Sequence, residues 1–492
     1  MSPHASTDRE KPVIVWFRDD LRLADHPALH DAIDSGRPVI AVYVLDEETG
    51  GVRPLGGAAR WWLHGALAAL RAQLNDMGGT LLTFAGPAPE TLDRLADISG
   101  AGALYCHYRY QKEARDQDSA VFDRLAGRRV EIVQRHGTLL RAPDAVRTKT
   151  GTPYRVFGAY WKAAVKLGPP PRPLAAPGRI RFWSSPTHWP KTMRPLDEDA
   201  LLPRKPNWAG GLEADWTPGE AAGREILRDF VTHALAHYDT GRNEMAAEGS
   251  SRLSPYLRFG HVSPRQVWDA VSHIKGTDAE VFRGEIGWRE FAWNTLYHAP
   301  DLPHRNLKPR FDIMRWRRDE GDVRAWQQGR TGIPIVDAGM RQLWETGWMH
   351  NRARMITASL LVKHLLIDWR VGEAWFWDTL VDADPANNAV NWQWVAGTGI
   401  EATPFFRVFS PLRQCERFDP DGDYMRRWVP ELAKLTGKEI PAPWTLSQQS
   451  LRQAGVTLGK TYPEPIVDLD GGRQRALDAL KATARTREDE AA

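Results

Sequence analysis

The chain has 492 residues, of which 42% are hydrophobic and 26% charged, a composition typical of a soluble globular protein with two or more domains. Its formal net charge is only +3, which excludes a uniformly basic protein, so any surface for nucleic acid must be a local patch. Two cysteines, Cys106 and Cys415, are too few for a disulfide framework or a cysteine-based zinc or iron–sulfur centre, and we predict no metal site. The polar N-terminus and the lack of a long apolar run argue against a signal peptide and a transmembrane helix, so we expect a cytoplasmic protein.

Short apolar runs alternate with helix-length segments in the first part of the chain. Runs of strand length cover Val13–Phe17, Val39–Leu45, Thr80–Phe84, Leu104–His107 and Val130–Val133. Helix-length segments between them include Ala58–Met77 and Gln111–Leu125. This alternation predicts a doubly wound, Rossmann-like α/β domain with a five-stranded parallel sheet over residues 11–145. No G-x-G-x-x-G follows the first strand, so the usual dinucleotide fingerprint of such a domain is absent.

The pattern changes twice after this domain. Residues 146–219 form a connector that contains 11 prolines between Pro169 and Pro218, which predicts an ordered coil. Residues 220–465 show helical patterns without strand alternation and predict an all-α domain. Ser254 and Ser263 each precede a proline, which predicts a capping hydroxyl followed by proline at the first helical position. Residues 466–492 form a charged C-terminal tail, and we expect its alanine-rich part, Arg473–Ala492, to fray.

Unusual pairings of side chains are concentrated between Asp382 and Arg413. Carboxylates, amides, tryptophans and glycines occur there in pairs: Asp382 and Asp384, Asn387 and Asn388, Trp392 and Trp394, Gly397 and Gly399. A basic aromatic run, Phe405–Phe409, follows. Carboxylates and amides indicate anchors for a polar ligand with ribose or ring nitrogens, and tryptophans indicate stacking or electron transfer. A tryptophan-rich helical core with a solvated acidic turn is the alternative that the residues alone leave open.

This stretch resembles the flavin-binding core of the DNA photolyase and cryptochrome family. TGWMHNRARMITASLLVKHLLIDW (346–369), FDPDGDYMRRWVPEL (418–432) and WFRDDLRLADHPAL (16–29) fit the same family, and the resemblance spans about residues 13 to 465. It implies an all-α FAD-binding domain and an α/β domain that carries an antenna pigment such as a folate or a deazaflavin. Residues 107–116 lack the acidic residue expected for the best-known folate pocket, so antenna identity is open, with 5,10-methenyltetrahydrofolate as our expectation.

The resemblance also implies how FAD is held. Gly249–Pro255 would lead into a helix N-terminus, where free N–H groups favour a phosphate. Arg354 would pair with Asp382 beside the flavin ring and favour the anionic reduced form. Asn388 would face flavin N5 and accept a hydrogen bond there. The expected FAD-binding residues are Tyr238, Ser250, Ser251, Arg252, Leu253, Ser254, Phe282, Asn351, Arg354, Asp382, Asp384 and Asn388.

Three tryptophans match the electron-transfer triad of the family, from Trp392 nearest the flavin through Trp369 to Trp316 at the surface. Trp375 and Trp377 could form a side branch. With Glu285, which would hydrogen-bond the damaged bases, and Asn388, the triad completes the residues expected to act in catalysis.

Glu285, Trp288 and Arg289 share one helical face, because they are spaced three and four residues apart. The resemblance implies that Trp288 and Trp394 hold a flipped pyrimidine dimer by stacking. The expected lesion- and DNA-binding residues are Arg242, Glu285, Trp288, Arg289, Asn351, Arg352, Met355, Trp394 and Gln414. The sequence Met349–Arg352 departs from the (6-4) photolyases, which carry a histidine pair, so a cyclobutane dimer is the expected substrate.

The resemblance therefore implies a light-driven repair enzyme for cyclobutane pyrimidine dimers, a bacterial photolyase of class III or class I, which acts on UV-damaged DNA as a monomer. Two rivals stay open: a cryptochrome-type blue-light photoreceptor and a light-independent flavin oxidoreductase. Asn388 and Glu285 favour repair over signalling. A light-independent flavin oxidoreductase would not need the tryptophan triad. Strand preference and the use of a second tryptophan branch are not determined by the residues.

Overall fold

A five-stranded parallel sheet forms the centre of the first domain. The computed structural model describes residues 11–186, 188–400 and 407–491, with side chains as far as residue 483. The strands are β1 (Val13–Phe17), β2 (Val39–Leu45), β3 (Leu81–Ala85), β4 (Ala103–His107) and β5 (Glu131–Arg135). Their order is β3-β2-β1-β4-β5, and all neighbours are parallel. The predicted sheet is confirmed; β1 and β2 have the predicted bounds, and the other strands differ by one or two residues.

Strand β1 is apolar throughout because both faces of the sheet are covered. Val13, Val15 and Phe17 belong to one apolar core, and Ile14 and Trp16 belong to another on the opposite face. This arrangement follows from the two-residue period of a strand, which sends successive side chains to opposite faces. Helices α1 (Pro27–Asp34), α2 (Gly57–Asp76), α3 (Ala88–Ser99) and α4 (Lys112–Gly127) provide the covering layers.

The rest of the described chain is helical. In the connector 146–219, α5 (Phe157–Lys166) precedes the proline-rich stretch and α6 (Gly210–Asp215) lies near its end. Between these two helices the described chain is largely coil, with a 3-10 turn at Glu198–Leu201. The helices that follow are α7 (Glu220–Asp229), α8 (Tyr238–Gly241), α9 (Ser254–Arg258), α10 (Pro264–Ser272), α11 (Thr277–His298), α12 (Glu320–Gln327), α13 (Pro334–Thr346), α14 (Asn351–Ser359), α15 (Trp369–Thr379), α16 (Pro385–Ala396), α17 (Pro411–Phe418), α18 (Asp423–Trp428), α19 (Gln448–Gln453) and α20 (Leu469–Ala491). The predicted all-α second domain is confirmed. Among the described residues, no helix combines the length and apolar character needed to cross a bilayer.

Two local expectations are wrong, one about a cap and one about the C-terminal segment. Ser263 caps α10 as predicted and forms a capping box with Gln266. Ser254 does not cap α9, because Leu253 already has near-helical dihedral angles (φ −81°, ψ −9°) and takes the cap position without a side-chain hydrogen bond. The expected fraying tail is instead helix α20, in which Ala476 is fully buried and Arg475 donates to the carbonyl of His364.

The segment 18–26 joins the two domains through buried polar contacts. The Arg22 guanidinium is fully buried and donates to the carbonyls of Gly137 (2.8 Å) and Gly260 (2.9 Å), one in each domain. The Glu220 carboxylate accepts hydrogen bonds from the backbone N–H groups of Leu23 and Ala24. Since a buried polar group is costly unless it is paired, these contacts hold the domains in one relative position.

Candidate active site

A cavity of about 510 Å³ lies in the helical domain, a size within the range of small-molecule and cofactor sites. Helices α9, α11, α14 and α16 provide most of its wall. Every residue that we expected to bind FAD lines this cavity. So do most of the residues expected at the lesion, together with the innermost tryptophan of the triad: Arg242, Glu285, Trp288, Arg289, Asn351, Met355, Trp394 and Trp392. Four expected residues do not line it: Arg352, Gln414, Trp316 and Trp369.

Arg354 and Asp382 form the expected ion pair on the cavity wall. Two parallel hydrogen bonds join the guanidinium to the carboxylate, at 3.0 and 2.7 Å. The Asp382 side chain is buried, and such a bidentate geometry fixes both side chains. The positive charge of Arg354 on the wall favours an anionic group inside the cavity.

Asp384 orients the start of α16. Its side chain caps the helix by accepting from the backbone N–H groups of Ala386 and Asn387, and it also accepts from the indole N–H of Trp293 at 3.1 Å. Arg258 donates to the carbonyl of Ala383 at 2.7 Å and fixes the preceding turn. The first turn of α16, which carries Asn388, is therefore held from several sides.

The Asn388 amide has a defined orientation. Its Nδ2 donates to the backbone carbonyl of Glu373 at 3.0 Å and to the Glu373 carboxylate at 2.7 Å. Both partners are acceptors, so the NH₂ group must face them. The amide oxygen is then left for a hydrogen-bond donor in the cavity, which is the role that the resemblance assigns to it.

The serine segment Ser250–Ser254 lines the cavity and leads into α9. Arg252 has a left-handed backbone conformation (φ +50°), which is uncommon for a residue with a side chain and is typical of functional turns. Its guanidinium pairs with Asp215 and lies over the Trp216 ring at 4.2 Å. The hydroxyls and this guanidinium suit the diphosphate of a dinucleotide, although α9, with five residues, is too short to supply much of a helix dipole.

Helix α11 also lines the cavity and presents Glu285, Trp288 and Arg289 on one face. Glu285 forms an ion pair with Arg242. The Trp288 indole stacks on the Phe157 ring, with centroids 3.9 Å apart and planes tilted by 11°. One face of Trp288 is thus covered by protein, and the other is available to a flat ligand.

His350 also lines the cavity, and it is a neutral helix cap. Burial, together with the nearby charges of Arg352 and Arg354, lowers its pKa to about 4. Its Nδ1 accepts from the backbone N–H of Arg352 at the start of α14. His350 is therefore poorly suited to donate a proton at neutral pH.

Arg352 and Gln414 lie beside the cavity. Arg352 donates to the side-chain oxygen of Asn243 at 2.9 Å and lies 4.4 Å over the Phe418 ring. Gln414 is half-buried on α17. Of the basic aromatic run 405–409, Phe405 and Phe406 fall outside the described residues.

The three expected triad tryptophans belong to one apolar core. Trp392 and Trp369 are buried, and Trp316 is half-buried at the edge of that core. The Trp369 indole N–H donates to Asn306 at 2.9 Å, and Arg317 donates to the carbonyl of Leu366, which holds the chain beside Trp316 near α15. Trp375 stacks on Trp344, with centroids 6.0 Å apart.

Sequence reasoning missed several residues of the site, among them Glu373, Trp293 and Phe157. Each acts through a contact with a residue distant in the chain, so no local spacing indicates it. A cluster of Asp20, His26 and His107 in the α/β domain was missed as well. These side chains are close enough to hold a metal, but His107 (2.7 Å) and His26 (3.4 Å) both contact the Asp20 carboxylate, and burial lowers the pKa of both imidazoles. Even so, Asp20 Oδ2, His26 Nε2 and both ring nitrogens of His107 are buried and have no hydrogen bond of good geometry among the described residues.

Comparisons with known proteins agree with this geometry. The family model of the FAD binding domain of DNA photolyase matches residues 282–482, and the DNA photolyase model matches residues 13–177. The chain is 48% identical to a deoxyribodipyrimidine photo-lyase of Agrobacterium fabrum, over 96% of this chain and 98% of that protein. It is 35% identical to cryptochrome-1 of Arabidopsis thaliana, over 95% of this chain and 70% of that protein. The crystal structure of a bacterial class III photolyase from Agrobacterium tumefaciens superposes with a TM-score of 0.92 at 47% identity, over 98% of this chain and 100% of that one. The chain belongs to the DNA photolyase and cryptochrome family.

Proposed function

We propose that this protein is a deoxyribodipyrimidine photo-lyase, which uses light and FAD to split cyclobutane pyrimidine dimers in UV-damaged DNA. One observation carries the proposal: a single cavity joins a polar wall suited to FAD with a stacking wall suited to a flipped base pair. Relatives named as photo-lyases match nearly the whole chain, which supports the same reaction. Photolyases belong to the enzymes known to extrude their target nucleotide, and extrusion costs least where stacking is already damaged.

The residues present fit FAD. Hydroxyls and a guanidinium at the serine segment suit the diphosphate, and Arg354 with Asp382 suits the polar edge of the flavin ring. Bound reduced FAD supplies the light-driven electron that splits the two cyclobutane bonds, with no net redox change. The Arg354 charge would favour the anionic reduced form, and the Asn388 oxygen would accept a hydrogen bond from the reduced flavin ring.

At the lesion, Trp288 and Trp394 stack against the dimer, a contact worth roughly 1–3 kcal/mol per base. Glu285 hydrogen-bonds the base edges, and Met355 and Asn351 complete the pocket. Arg242, Arg352 and Gln414 contact the flanking DNA backbone, where charge positions the duplex without reading its sequence. Trp392, Trp369 and Trp316 would pass an electron inward from the surface to bound FAD, and an external reductant such as a thiol would replace the electron lost by Trp316.

We further propose an antenna pigment, 5,10-methenyltetrahydrofolate, on the α/β domain. The match of residues 13–177 to the DNA photolyase model supports an antenna domain. Identification by mass spectrometry of the pigments released on denaturation tests this proposal. We also propose domain bounds of 11–145 and 220–465 with the connector 146–219 between them, a monomer, and a cytoplasmic location.

One assay tests the proposed function and its rival, a cryptochrome-type photoreceptor. The protein loaded with reduced FAD is mixed with DNA that contains thymine dimers, and the recovery of base absorbance is followed in light and in darkness. Recovery in light alone is expected. No recovery in light would refute the repair function and favour the photoreceptor.

A further inference from the structure

The loop between β2 and α2 reaches out of the α/β domain and docks on α15. The Trp377 indole donates to the carbonyl of Pro54 at 2.9 Å, and the Gly57 N–H donates to Asp378 at 2.8 Å. A Cβ atom on Gly56 would lie 2.1 Å from the carbonyl oxygen of Trp377, so only glycine permits this approach. The loop is therefore fixed against the helical domain.

Arg53 is the basic residue of this docked loop. Its guanidinium lies 4.1 Å over the Trp377 ring and forms two hydrogen bonds with the Glu373 carboxylate, at 2.7 and 3.0 Å. The Glu373 side chain is only 5% exposed, whereas that of Arg53 is 34% exposed. Burial of a charge is costly unless the charge is paired and hydrogen-bonded, and Arg53 is the charged partner of Glu373.

The same carboxylate oxygen that faces Arg53 also accepts from Asn388 Nδ2 at 2.7 Å. An ionised carboxylate can only accept hydrogen bonds, whereas a protonated one can donate. The Glu373 carboxylate and the Glu373 backbone carbonyl both accept from Asn388, so the NH₂ group faces Glu373 and the amide oxygen is left for the cavity. Arg53 thus acts on the cavity through two successive contacts.

We propose that Arg53 of the α/β domain is a positioning residue of the flavin site, which compensates the charge of the buried Glu373 carboxylate and fixes it in place as the acceptor of the Asn388 amide. This inference rests on the proposed function, because it takes the ligand beside Asn388 to be FAD. It gives the α/β domain a part in setting the reduction potential of the cofactor, in addition to carrying an antenna.

Charge determines the expected signs. Arg53→Ala leaves the negative charge of Glu373 uncompensated near the flavin, which disfavours the anionic reduced form and lowers the midpoint potential. Glu373→Gln removes that charge but keeps an acceptor for Asn388, which leaves Arg53 uncompensated and raises the potential. The double variant removes both charges and should lie close to the unmodified protein. A mere packing role of the loop would shift both single variants in the same direction.

The test is a dye-equilibrated spectrophotometric titration of the FAD-loaded full chain. We expect each single variant to shift the ratio of oxidised to reduced FAD about tenfold, in opposite directions, or about 30 mV for a two-electron couple. Arg53→Lys, which keeps the charge, should stay within about threefold. Arg265→Ala removes another ion pair across the domain interface, that with Asp25, and should leave the potential unchanged.

Equal potentials in all variants, or shifts of the same sign in Arg53→Ala and Glu373→Gln, would overturn the inference. The FAD dissociation constant, measured in parallel, should change less than threefold in Arg53→Ala, because this residue does not line the FAD cavity. Failure of the proposed function is distinguishable: the unmodified chain would then bind no FAD or repair no dimers, whereas failure of the inference alone leaves both intact.

Discussion

The stack of Trp288 on Phe157 makes a quantitative prediction about lesion binding. We expect Phe157→Ala to weaken binding of dimer-containing DNA, because Trp288 loses the ring that fixes its plane. Parallel aromatic contacts at this distance contribute about 0.5–1.5 kcal/mol beyond buried area, which corresponds to roughly 2- to 13-fold in the dissociation constant. Trp288→Ala removes the stacking surface itself, so we expect roughly 5- to 160-fold, from about 1–3 kcal/mol per base.

Fluorescence anisotropy in darkness measures both effects, with dimer-containing and undamaged oligonucleotides at the same salt concentration. Affinity for undamaged DNA should change little, because it depends mainly on phosphate contacts. Phe157→Leu, which keeps an apolar side chain but no ring, should give an intermediate loss. Trp344→Ala removes a ring from the separate stack with Trp375 and should have no effect. An equal loss of affinity for damaged and undamaged DNA in Phe157→Ala would refute the reasoning.

Three further predictions concern the cofactor, the tryptophans and acid stability. Asp382→Asn leaves the Arg354 guanidinium without its partner anion. We therefore expect FAD affinity, measured by fluorescence, to fall about 10- to 100-fold, from a loss of about 1.5–3 kcal/mol of binding free energy. Unchanged affinity would contradict the role of the ion pair. Trp316→Phe should slow photoreduction of oxidised FAD but leave pre-reduced protein active in repair; normal photoreduction would show that the assigned triad is wrong. The free energy of unfolding should fall as the pH drops from about 6.5 to 4, because the unfolded chain takes up protons that the folded chain excludes. The fall should be up to about 1.4 kcal/mol per pH unit for each histidine that burial keeps neutral. Urea denaturation at pH 7 and pH 5 measures this, and equal stability at both pH values would contradict it. Burial lowers the pKa to about 3 or 4 at four such histidines: His107, His261, His350 and His364.

Much of the fold could be predicted because its signals are local. Strands β1 and β2 are uninterrupted apolar runs. Ser263 and Gln266 form a capping box, a motif that is recognisable within four consecutive residues. Ser254 has a similar local signal, yet the left-handed turn at Arg252 moves the helix start by one residue. Helix α20 was missed because its stability comes from contacts with the distant segment around His364, which charge and composition do not encode.

The residues of the candidate site also differ in how far the sequence could predict them. Residues within motifs, such as Asp382 and Asn388, were identified through the family resemblance, and the cavity brings them together. The residues that orient them were not. Glu373 lies 15 positions from Asn388, and Arg53 lies 320 positions from Glu373, so only the packing of the two domains brings these charges together. Residues that contact a ligand are therefore easier to identify from sequence than the residues that orient them.

The buried segment 18–26 limits how this protein can be recombined with its relatives. Arg22 donates to one carbonyl from each half, and the Glu220 carboxylate of the helical half is satisfied by backbone N–H groups of this segment. A chimaera that took its first 145 residues from another member would preserve these bonds only if the graft reproduced the local backbone path. Exchange of antenna modules by gene fusion should therefore succeed between members that share this segment, and yield insoluble protein where it differs.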